Sequence, residues 1–211
     1  MSFEDSIRHV STASILLPVS ISLLRWREMT ASFPTLLIYL WLTLLVESWG
    51  TYTLLQGTLD NGYVYNFYNI AEFILLSLLY YRYFDRWPLK RLVLVLNGLF
   101  VPYALYRFIR MSSSYDGTVL GLENALLILL VLLFFYQLLN KLEVTHLSQF
   151  PMFWISAGIL MFFAGSFFIY VFSSYLVSPD KYATLRDLWD IPRYLNIVFH
   201  LALATGIWFS K

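Results

Sequence analysis

Seven mainly apolar stretches, each close to the roughly 20 residues that an α-helix needs to cross a hydrocarbon layer, follow one another from His9 to Ser210. They run His9–Trp26, Pro34–Leu55, Tyr65–Phe84, Leu89–Arg110, Val119–Lys141, Pro151–Leu176 and Leu185–Ser210. Lipid offers no water to backbone N–H and C=O groups, so a helix, which satisfies them within its own segment, is the conformation such stretches adopt. Only 13% of the chain is charged and 59% is hydrophobic, against about 25% charged in soluble domains. The expected fold class is all-α: a polytopic membrane protein, a seven-helix transmembrane bundle forming a single domain over residues 1–211.

The breaks between these stretches hold most of the helix-stopping residues. RWREMTASFP, TLDNG, FDRWPLKR, RMSSSYDG, NKLEVTHLSQFP and VSPDKYATLRD concentrate Pro, Gly, Asp and Asn, the residues of turns. Pro34, Pro88 and Pro151 stand at or near the start of a helix, where a missing N–H costs little. Pro18 weakens the first span, and Pro192 either kinks the last one or marks where it begins. No polar interval is long enough for a soluble domain, and MSFEDSIRHVSTAS lacks the positive start of a cleavable signal peptide.

Orientation follows from Lys and Arg near the span ends. The odd-numbered loops and the C-terminal end carry Arg25, Arg27, Arg82, Arg86, Lys90, Arg91, Lys141 and Lys211. The opposite side carries Arg8, Arg110, Lys181 and Arg186, with Arg107 and Arg193 inside helices. The expectation is an N-terminus outside and a C-terminus in the cytoplasm, in the inner membrane of a bacterium.

Several function classes fall away. A net charge of +1 leaves no basic face for nucleic acid, and no cysteine is present for thiolate metal sites or thiol catalysis. Covalent retinal needs a lysine deep in a helix, whereas Lys90, Lys141, Lys181 and Lys211 all lie at loops or ends. The three histidines, His9, His146 and His200, are too scattered for an intramembrane zinc hydrolase. No cofactor and no metal are expected.

Ionisable groups inside spans cost about 2.5–3.5 kcal/mol each on insertion scales and tend to face the bundle interior. Glu47, Glu72, Arg107, Glu123, Asp190 and Arg193 all fall toward the outer ends of their helices. Helical spacing groups them with polar neighbours: Thr43, Glu47 and Thr51; Tyr65, Asn69 and Glu72; Trp189, Arg193, Asn196 and His200. Such stripes predict an inward-facing polar cavity near the outside. Gly158 and Gly165 read as close helix contacts, and the tyrosines near span ends, Tyr80, Tyr81 and Tyr83 among them, as an interfacial belt.

The stretches YNFYNIAEFILLSLLYYRYF, LENALLILLVLLFFYQLL, PMFWISAGILMFFAGSFFIYVFSS and LWDIPRYLNIVFHLALATGIW resemble an uncharacterised family of seven-helix membrane proteins common in Bacteroidetes-type bacteria. The motifs concerned are Tyr68-Asn69, Glu72-Phe73, Glu123-Asn124 and Phe153-Trp154-Ile155. The last helix departs from the family's Trp-Ile-Ile-His-like start, having Trp189, Asp190, Ile191 and Pro192. That family has no established activity; the resemblance implies a fold, singles out Glu72, Glu123 and Asn124, and suggests a sensor kinase as partner.

Taken together, these residues predict a receptor- or sensor-like protein. A small ligand would bind Glu47, Asn69, Glu72, Arg107, Glu123, Asn124, Asp190, Arg193, Asn196 and His200, and a cytoplasmic or membrane partner would receive the signal. The loop FDRWPLKR is the candidate partner contact, and also reads as a solvated positive-inside anchor. The alternatives are a transporter or channel for a small polar solute or proton, and a lipid-modifying enzyme using Glu72 and His200.

Overall fold

The computed structural model describes residues 3–26, 33–57, 62–111, 117–141, 147–172, 188 and 190–210. Within them the chain is all-α. The helices are α1 (Phe3–Ser14), α2 (Leu16–Arg25), α3 (Pro34–Leu55), α4 (Gly62–Tyr83), α5 (Trp87–Met111), α6 (Gly117–Lys141), α7 (Pro151–Val171) and α8 (Asp190–Phe209). One 3₁₀ turn, Leu147–Gln149, leads into α7.

Prolines and one glycine set several helix boundaries. α1 and α2 form a single rod interrupted only at Ile15, three residues before Pro18. The Pro18 ring removes the N–H that would bond the Ser14 carbonyl and crowds that carbonyl. Pro34 and Pro151 are the first residues of their helices, and Pro88 is the second of α5. Pro192 sits in the first turn of α8, so it marks a start rather than a kink. α3 ends on Gly57, whose φ of 71° lets its N–H return to the Leu54 carbonyl at 3.1 Å. The expected end of the sixth span and start of the seventh lie outside the described residues.

Among the described residues four helical stretches are long and apolar enough to cross a membrane: Ser6–Arg25, Trp87–Arg110, Gly117–Lys141 and Pro151–Val171. Their length and composition mark a membrane protein. α3, α4 and α8 have the length but are diluted by polar side chains, and those side chains build the site described below.

Helix neighbours form a closed ring: the α1/α2 rod, then α3, α4, α6, α7, α8 and back to the rod. α5 stands outside this ring, packed on α4 and α6. The ring closes most tightly between α7 and α8, where Gly158 faces Ala202 and Phe199, and Gly165 faces Leu195. A Cβ on Gly158 would stand 2.7 Å from that of Ala202, so only glycine permits this approach. Inside the ring Leu76, Leu127, Leu130, Ile155, Ile159 and Leu203 are fully buried. Leu24, Leu45, Leu99 and Ile109 face outward, as expected where the surroundings are apolar.

Side-chain hydrogen bonds tie the helices at the end of the bundle where α4 stops and α5 begins. Gln137 of α6 accepts from the Asp85 N–H at 3.0 Å and donates to the Tyr83 carbonyl at 3.2 Å. Asn97 of α5 donates to Ser77 Oγ at 2.8 Å. Tyr80 is buried and donates to Ser156 Oγ of α7 at 3.1 Å, which corrects its reading as part of an interfacial belt.

Candidate functional site

Each ring helix brings polar residues toward the same end of the bundle: the first halves of α4, α6 and α8, the α1 segment from Arg8 to Thr12, the middle of α3 and the later half of α7. Between them lies a cavity of about 240 Å³. α3 contributes Tyr39, Thr43 and Glu47; α4 contributes Tyr65, Tyr68, Asn69 and Glu72; α6 contributes Glu123 and Asn124. α8 supplies Arg193 and Asn196, α7 supplies Tyr170, and α1 supplies Arg8, Ser11 and Thr12. Among the described residues no side chain of α5 lines it.

Glu72 is the centre of a hydrogen-bonded cluster of two tyrosines and a threonine. It is buried, and its Oε1 accepts hydrogen bonds from Tyr39 Oη and Tyr68 Oη, both at 2.9 Å. Thr43 Oγ1 lies 3.1 Å from Tyr68 Oη and donates to the Tyr39 carbonyl at 2.9 Å. Two donors on one carboxylate oxygen are the usual compensation for removing a charge from water. The Tyr65 hydroxyl lies against Gly50, at a point 2.3 Å from where a Cβ would be.

The other walls are braced in the same manner. Glu47 is half-buried and accepts from Thr12 Oγ1 at 3.1 Å. Asn196 donates to Ser11 Oγ at 3.1 Å, joining α8 to α1. Asn124 is buried and donates to the Phe163 carbonyl at 3.0 Å and to Ser166 Oγ at 3.2 Å, joining α6 to α7. Arg193 forms an ion pair with Asp190 one turn earlier on α8. Glu123 differs from all of these: it is 1% exposed, and its Oε1 has no hydrogen-bond partner among the described residues.

Of the ten residues expected at one site, Glu47, Asn69, Glu72, Glu123, Asn124, Arg193 and Asn196 line the cavity. Three do not. Arg107 belongs to α5, which stands outside the ring, and is not among the lining residues. Asp190 is turned to its ion pair with Arg193 rather than to the cavity. His200 is fully buried toward α1, its Nδ1 2.6 Å from Ser14 Oγ, and its Nε2 has no partner among the described residues. Thr51 donates to the Glu47 carbonyl and stays off the lining. Trp189 and His146 lie outside the described residues.

Among the described residues no three Asp, Glu, His or Cys side chains converge as a metal site would require. Compared with protein-family models, curated proteins and solved structures, the chain matches none. The likeness to the seven-helix bacterial family therefore rests on the motifs that suggested it.

Sequence reasoning missed Arg8, Ser11, Thr12, Tyr39 and Tyr170 as site residues and named Tyr68 only within a motif. Two signals were present. Tyr39 continues the Thr43, Glu47 series by one four-residue step, and Tyr68 stands one turn before Glu72. Arg8, Ser11 and Thr12 share one helical face as well, but they precede or open the apolar stretch and read as its border. A larger groove of about 550 Å³ between α2 and α3 is lined by Leu23, Trp26, Ile38, Trp41 and their apolar neighbours. It carries no reactive group.

Proposed function

We propose that the chain is a seven-span membrane protein, N-terminus outward, that binds a small molecule in the cavity among its ring helices and signals through a partner. The observation that carries this reading is the cavity itself: six rods converge on it with three carboxylates, four tyrosines and three asparagines. The apolar layer beneath favours binding from one end over a path through the bundle. Phe73, Leu76, Leu127, Leu130 and Ile159 are all buried there. The polar residues of the opposite half are occupied in helix ties, Asn97 with Ser77 and Gln137 with Tyr83 and Asp85.

The orientation rests on the cationic end. Arg25, Arg82, Arg86, Lys90, Arg91 and Lys141 stand at the bundle end away from the cavity, which the positive-inside rule assigns to the cytoplasm. A signalling partner would meet the protein there or along the lipid-facing helices. At that end Lys141 pairs with Asp85, and Lys90 lies over the Tyr81 ring at 5.7 Å.

The cysteine-free sequence makes the test direct. Single substitutions Gln56→Cys, at the cavity end, and Asn140→Cys, at the other, are probed with a membrane-impermeant maleimide in intact bacterial cells or spheroplasts. Gln56→Cys should label at once and Asn140→Cys only after permeabilisation. The reverse pattern sinks the orientation. Failure of Thr12→Cys to react with small thiol reagents in purified protein sinks the cavity.

A further inference from the structure

Resting on the cavity reading above, we propose that the ligand is a small organic cation, a protonated amine on an apolar body, held by Glu123 and Glu72 within an aromatic wall. Acids exceed bases around the cavity. Glu47, Glu72 and Glu123 line it with Arg8 and Arg193, and Arg193 is taken up by Asp190. A cation supplies the countercharge that this arrangement lacks.

Glu123 indicates where the amine sits. A buried acceptor with no donor is costly to a fold and rare in native proteins. Glu123 Oε1 is such an acceptor, on a side chain that lines the cavity and is 1% exposed. Thr12, Tyr39, Tyr68, Asn124 and Asn196 each brace a neighbouring helix; Glu123 braces nothing through this oxygen. An ammonium N–H provides the missing donor with charge assistance.

The remaining walls suit the rest of such a molecule. Tyr39, Tyr68, Tyr170, Phe162, Phe163 and Phe199 face the cavity, and aromatic faces attract organic cations within about 6 Å. A bare metal ion fits poorly, because no three carboxylate or imidazole groups converge among the described residues. A volume of about 240 Å³ lies below the roughly 300–1,000 Å³ of drug-sized sites, so the body is metabolite-sized.

The test uses the otherwise cysteine-free chain purified in detergent, carrying Thr12→Cys, with Tyr65→Cys on α4 as a second reporter. Reaction rates are measured with a cationic trimethylammonium-ethyl and an anionic sulfonatoethyl methanethiosulfonate, and the exposed Gln56→Cys serves as reference. The cation-to-anion rate ratio should exceed the reference by about tenfold or more, within the range of charge focusing in clefts. Adding Glu123→Gln should return it toward the reference, and phenethylamine should protect both reporters while 2-phenylethanol, phenylacetate and phenylalanine do not. A ratio at or below the reference, or protection by phenylacetate or phenylalanine in place of the amine, overturns the cationic ligand and leaves the cavity standing. Failure of both reporters to react with either reagent sinks the cavity and this proposal with it.

Discussion

Tyr39 of α3 and Glu72 of α4, 33 positions apart in the chain, are joined by a hydrogen bond of 2.9 Å from phenol to carboxylate in a buried site. Tyr68 donates to the same oxygen from one turn earlier on α4. The carboxylate is thus held by its own helix and by the next one in the ring, which fixes α3 against α4 at the level of the cavity.

Removing these donors should therefore weaken the bundle in steps. Tyr39→Phe should cost about 0.6 kcal/mol, the average for hydrogen bonds between membrane helices, and no more than about 1.7 kcal/mol, their upper end. The double substitution with Tyr68→Phe should cost more than the sum, since the last donor to a buried carboxylate then goes. Adding Glu72→Gln to the double variant should recover part of the loss. Reversible unfolding in mixed detergent measures these variants and Tyr68→Phe alone, and strictly additive losses would count against the shared acceptor.

The glycines offer a second check. Gly158→Val would drive a branched side chain into Ala202 and Phe199 and should destabilise by about 1–3 kcal/mol. Gly98 lies in open space on α5, so Gly98→Ala should stabilise by up to about 1 kcal/mol through helix propensity. Melting temperatures in one detergent decide between this contrast and a uniform response.

Arg107 and Arg193 should behave differently. With α5 outside the ring, Arg107→Ala should leave the thiol-reagent rate ratio at the cavity reporters unchanged. Arg193→Ala removes the partner of Asp190 and should raise the ratio, because the mouth becomes more negative. Equal effects of the two variants would place Arg107 at the cavity.

At the opposite end, Gln137→Ala removes both ties from α6 to the end of α4 and should cost about 1–3 kcal/mol. Asp85→Asn breaks an ion pair whose Asp85 side chain is 52% exposed, and should cost less than about 1 kcal/mol. The Asp85→Asn effect should fade in 1 M salt, where screening acts within about 3 Å. Denaturation of each variant at two salt concentrations separates them.

The linear chain by itself determined that the protein is helical and suited to a membrane, because long apolar runs in water-free surroundings leave the backbone no other way to satisfy itself. Pro34, Pro88 and Pro151 marked helix starts because a residue without an N–H loses nothing there. Spacing of four and three residues also picked out Tyr65, Asn69 and Glu72 as one face of one helix. Spacing acts within a helix, and the order of helices around the ring does not follow from it. Only the tertiary structure placed α5 outside and so separated Arg107 from Glu72. It also turned His200 toward Ser14, joined Thr12 and Ser11 of α1 to Glu47 and Asn196, and placed Arg8 on the cavity. Those outcomes depend on which helices touch, and spacing along one helix says nothing of that; close packing, as at Gly158 and Gly165 between α7 and α8, does.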